Sequence, residues 1–73
     1  MSLRFIGIDP DTNGGNCPTV WIDEATGDFI LQGVEVSDGD MLAEVAARSP
    51  IPDHERVVRL PARMRDIIRE AVS

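Results

Sequence analysis

Residues 61–72 place the tightest constraint on what this chain can fold into. Pro61 suits the first turn of a helix, and Met64, Ile67, Ile68, Ala71 and Val72 then recur at i, i+3, i+4, i+7 and i+8. Arg63, Arg65, Asp66, Arg69 and Glu70 fill the other face. A helix with one apolar stripe must lay it on an apolar surface, and the preceding sequence supplies strands for that purpose.

"LRFIGI" (3–8) reads as a first strand ended by Asp9-Pro10, "TVWID" (19–23) as a second and "DFILQGVEV" (28–36) as a third. The short "EATG" turn between the last two, with Gly27, makes them an antiparallel hairpin. Gly33 interrupts the third strand and predicts a bulge or bend there. Ser37 is the expected N-cap of a first helix over "DGDMLAEVAARS", with Asp40 reaching back as in a capping box and Leu42, Val45 and Ala46 forming the apolar face. "SPIPDHE" (49–55) is a loop, since each proline disfavours helix before it, and "RVVRL" (56–60) is a short strand. The expected fold is α+β: a small, mostly antiparallel sheet in β-β-β-α-β-α order with two helices on one face, a single domain over residues 1–73.

A chain of this length buries only roughly 60% of the surface it exposes when unfolded, which argues against a large buried active-site cavity. The single cysteine, Cys17, cannot close an internal disulfide, and one Cys with one His cannot complete a four-ligand zinc site. Apolar runs are a few residues long, far below the ~20 that span a bilayer, and no leader is evident, so a cytoplasmic protein without membrane contact is expected. The net charge is −6, unevenly placed: residues 1–55 hold eleven acidic and two basic side chains, residues 56–73 two acidic and five basic. An acidic protein is a poor default partner for phosphate backbones, so direct nucleic-acid binding is not expected.

"DPDTNGG" (9–15) is the first segment with chemical possibilities. Asp9, Asp11, Asn13 and Gly14 match the opening of the calcium-loop pattern D-x-[DN]-x-[DN]-G, in which alternating oxygens converge on a cation. Its twelfth position, normally a bidentate Glu, is Val20, and strands rather than helices flank the loop. A turn whose Asx side chains bond nearby backbone is the reading adopted, with a divalent-cation module on Asp9, Asp11 and Asn13 as the alternative. Gly14 and Gly15 lack the lysine and the spacing of a phosphate loop. Cys17 and His54 stand without an orienting group, and no nucleophile, base and orienter form a set. No cofactor and no reaction are expected.

Arg56, Arg59, Arg63, Arg65 and Arg69 form a cationic series on an otherwise acidic body. It reads either as a solvated face or as a docking surface for an acidic partner or a second copy of the chain. Helices on one side leave the other sheet face open, and Trp21, Phe29 and Leu31 are the apolar candidates for a partner site.

Three resemblances accompany these readings. "FIGIDPDT" resembles the first-strand motif of the ribonuclease H-like superfamily, including Holliday-junction resolvases, which implies a metal-holding role for Asp9. Such enzymes need several carboxylates around two metal ions, whereas "RVVRL" carries no acid, so the resemblance implies at most a half-domain remnant without activity. "SLRFIGIDP", "PTVWIDE" and "VVRLPARM" resemble segments of small acidic proteins of streptomycetes and related actinobacteria. "GGNCPTV" and the hairpin after it are distantly similar to short domains that accompany helix-turn-helix regulators in those bacteria. These last two imply a cytoplasmic accessory protein, paired with a transcriptional regulator, and no reaction.

Overall fold

A computed structural model of the chain describes residues 2–11, 15 and 17–73. Strand β1 (Leu3–Ile8) and strand β2 (Thr19–Asp23) occupy the spans expected from the sequence and pair antiparallel. The Asp9 N–H donates to the Pro18 carbonyl at 2.8 Å, which continues the ladder one step past β1 and closes the connection between the strands. Strand β3 (Phe29–Gln32) pairs antiparallel with β2, giving a three-stranded sheet in the order β1-β2-β3. The turn between β2 and β3 is fastened by Asp23, whose carbonyl accepts from Gly27 N–H at 2.7 Å and whose carboxylate accepts from Ala25 N–H at 3.0 Å.

The α+β class is observed, and the long third strand of the sequence reading is divided. After Gly33 the chain enters a separate strand, β4 (Val34–Glu35), which pairs antiparallel with β5 (Val58–Arg59) in a second, two-stranded sheet. Gly33 marks the crossing because a Cβ there would lie 2.6 Å from the Arg59 carbonyl oxygen and 3.0 Å from Leu60 Cδ2. The bend foreseen at this glycine is thus a close approach between two backbones.

Helix α1 (Gly39–Arg48) starts one residue later than the Ser37 cap implies. Asp38 is the N-cap, and its carboxylate accepts from the Asp40 N–H at 3.1 Å. Aspartate caps a helix as well as serine does, and Asp38, not Ser37, occupies the position. Leu42 of α1 borders a shallow cavity of about 280 Å³ with Val36, Ile51 and Val57, which places this helix beside the second sheet.

A single 3-10 turn, Ala62–Met64, follows Pro61 and leads into helix α2 (Arg65–Val72). α2 packs on β1 and β2. Met64 is fully enclosed, while Ile68 and Val72 at the margin of the stripe stay exposed. Gly7 permits the approach, since a Cβ on it would meet Ile67 Cγ2 at 2.9 Å. The buried apolar core among the described residues is Val20, Ile22, Val36 and Met64. No helix among the described residues is long and apolar enough to cross a membrane.

Candidate functional site

The end of β1 and the start of the 3-10 turn meet at an ion pair. Asp9 is only 2% exposed. Its Oδ1 accepts from Arg63 Nε at 2.5 Å and its Oδ2 from Arg63 Nη2 at 2.6 Å, a bidentate clamp across 54 positions of sequence. Oδ1 also accepts from the Asp11 N–H at 3.0 Å, the Asx turn expected of this loop. Arg63 Nη2 further reaches the Asp11 carbonyl at 3.4 Å. The pair borders a cavity of about 160 Å³ shared with Arg59, Pro18, Val34 and Pro61.

The hydrogen bonds from Arg63 hold the Asp9 carboxyl below the usual carboxylate range, helped by the Asp11 N–H and the guanidinium charge and opposed by burial. The same contact pushes Arg63 further up. A carboxylate held low is a weak base, and both of its oxygens already face a cation. Asp9 therefore follows directly on strand β1 and serves there as one half of a closed pair. A divalent ion on Asp9 would have to displace a guanidinium. Asn13, the third expected cation ligand, lies outside the described residues; Asp11 is exposed, and no three His, Cys, Asp or Glu side chains cluster as a metal site among the described residues.

The pH dependence has a definite sign. Because the folded-state value is depressed, the stabilisation from Asp9 is fully present above the unfolded carboxyl value of about 4 and is lost as pH falls through the folded value. Urea midpoints of wild type and Asp9→Asn should therefore differ by a constant amount between about pH 5 and 8 and converge below about pH 4. Equal midpoints at neutral pH would contradict the clamp.

The arginine series is engaged within the chain. Arg56 donates to the Asp53 and Glu55 carbonyls at 2.7 and 2.8 Å and lies 3.8 Å from the Glu35 carboxylate. Arg65 bonds the Ala62 carbonyl, Arg69 pairs with Asp66, and Arg59 Nη2 lies 3.2 Å from Met41 Sδ. Cys17 Sγ is directed to the Gly15 carbonyl, whereas His54 is exposed beside Glu55, so each has its own neighbour.

The apolar candidates fall on different sides of the sheet. Directly opposed residues share a face, so Trp21 belongs with its partners Phe5 and Ile30, while Phe29 and Leu31 belong with Ile22 and Val20 on the α2 side. Phe5 and Trp21 meet edge to face with ring centroids 5.5 Å apart. Leu3 lies on this open face too, by alternation from Phe5. Leu3 is 48% and Phe5 53% exposed, and Ile8 and Ile30 are exposed as well. Phe29 and Leu31 share the helix-bearing face, but α2 lies over β1 and β2, and they stay 52% and 46% exposed.

The sequence reading missed Phe5, Ile30 and the Asp9–Arg63 pair. Phe5 and Ile30 become visible only with the strand register, which shifts between Phe5 and Gly7 at a bulge. Comparison with family models, with curated proteins and with solved structures finds no match to this chain.

Proposed function

We propose that this chain is a non-enzymatic protein that works by contact with another polypeptide, either a second copy of itself or a regulator it accompanies. The observation that supports this reading is the apolar face built from Leu3, Phe5, Trp21 and Ile30, opposite the face that carries α2. Among the described residues ten large apolar side chains are exposed against four in the buried core; of the ten, Leu3, Phe5 and Ile30 share the Trp21 face, and a shared apolar face marks a contact site. The engagement of both Asp9 oxygens by Arg63 supports a reading in which that side chain is not a reacting group.

Aromatic side chains at the centre of such a patch dominate association, so Trp21→Ala should weaken binding by at least about 30-fold, the effect of a ~2 kcal/mol anchor. Stability should fall by about 1 kcal/mol or less, because Trp21 is half-buried and its packing partner Phe5 is itself exposed. Sedimentation equilibrium and recovery of bound protein by a tagged chain in its native cell measure the association, and urea unfolding measures the stability. A chain that is monomeric at every concentration and recovers no partner would remove the reading.

A further inference from the structure

We infer that the partner includes a second copy of this chain, joined through the free edge of β3 into a continuous sheet of three strands from each copy. This inference rests on the contact reading above and names its partner. In the β2–β3 ladder the Asp23 N–H donates to the Asp28 carbonyl at 2.8 Å. Hydrogen-bonded pairs alternate along an antiparallel ladder, so Trp21/Ile30 and Thr19/Gln32 are bonded in turn. The N–H and C=O groups of Phe29 and Leu31 consequently point away from β2, off the edge of the sheet.

The two edges of the sheet differ in how they are protected. β1 carries Arg4 and a register shift between Phe5 and Gly7, both of which discourage edge-to-edge pairing. β3, Phe-Ile-Leu-Gln, has no charge, no proline and no bulge, and all four residues are exposed. In a chain of net charge −6 it is a neutral segment along which two copies can approach.

The edge is also self-complementary. With Ile30 opposite Ile30 of the second copy about a twofold axis, Phe29 and Leu31 of the second copy exchange both backbone bonds, and symmetry repeats the exchange. Asp28 then faces Gln32 of the second copy, so no like charges oppose one another. Phe29 and Leu31 from both copies cover one another on the α2 side, and the two Ile30 side chains extend the Trp21 patch on the other. Four residues on each side make an interface at the low end of the size range, below roughly 1,200 Å² in total, so a dissociation constant on the order of 10–1,000 µM is expected. Repulsion between two acidic bodies makes the dimer tighter as salt rises.

Amide hydrogen exchange and sedimentation of the full chain, from about 5 µM to 1 mM, test this. The Phe29 and Leu31 amides should gain about two- to ninefold protection across that range as the average mass rises toward that of the dimer. Leu31→Pro removes an outward N–H without touching the β2 ladder and is compatible with an edge strand, so it should leave a folded monomer. If that variant unfolds, the wild-type amide protection alone decides the question. A wild type that stays monomeric at 1 mM, or a dimer in which these two amides exchange freely, overturns the inference. A dimer that survives Leu31→Pro but is lost in Trp21→Ala overturns the edge pairing and leaves the contact reading standing, whereas failure of both association and partner recovery removes both.

Discussion

Arg63→Ala is expected to lower the unfolding midpoint by roughly 10 °C or more. The substitution strips both guanidinium bonds from a carboxylate that is 2% exposed and leaves, among the described residues, the Asp11 N–H as its donor. A buried charge that loses its partner is far more costly than a lost surface bridge, for which Arg69–Asp66 is the internal comparison. Arg69→Ala should accordingly change the midpoint by about 2 °C or less. Asp9→Asn should cost less than Arg63→Ala, because the amide oxygen still accepts from the guanidinium. The double variant should recover part of the Arg63→Ala loss, and thermal unfolding of the four proteins is a complete double-mutant cycle. Additive effects in that cycle would show that the two side chains do not act as a pair.

Met64→Ala is the second large effect. Met64 is fully enclosed between the 3-10 turn and the sheet, and truncating a buried methionine costs about 2–5 kcal/mol. A chain of this length has on the order of 4–11 kcal/mol of stability in all, so much of it would be lost. Met64→Leu, which conserves volume, should cost less than about 1.5 kcal/mol. Urea titration of the pair separates packing from any general intolerance at this position. Equal losses for both variants would mean that the side chain is not seated in a close-packed core.

Much of this architecture was legible from local chemistry. β1 and β2 follow from alternating apolar residues ended by Asp9-Pro10 and the 24–28 turn, and α2 follows from the stripe of Met64, Ile67 and Ala71. The cap of α1 was read one residue early, at Ser37 where the structure has Asp38. What was not legible depends on contacts between distant parts of the chain. The break at Gly33 is set by the Arg59 carbonyl, and the pairing of β4 with β5 follows from it. Arg63 looked like one member of a solvated helix face, because nothing near it in sequence reveals a buried carboxylate 54 positions away. Trp21, Phe29 and Leu31 looked like one group, yet the register puts Trp21 on one face and the other two on the opposite one.

The arginine series carries a related lesson. Its charges appear unbalanced in the C-terminal third, but Arg56, Arg63 and Arg69 each face an acidic side chain, and Arg65 caps a carbonyl of its own turn. The exposed apolar side chains of the three-stranded sheet lie on its open side and along β3. Under the contact reading proposed above, surface of that kind gives contact energy without bond-making groups, and strand register and shape would select the partner.

Trp21 is the only tryptophan and the chain has no tyrosine, so its fluorescence reports directly on that open face. Acrylamide quenching of Trp21 should be efficient in dilute protein and should fall at least about twofold, with a blue-shifted emission maximum, when a partner polypeptide covers that face, whereas pairing through β3 alone leaves Trp21 open. Quenching and emission that stay the same from micromolar to millimolar protein, with the chain monomeric and no partner altering them, would contradict the account.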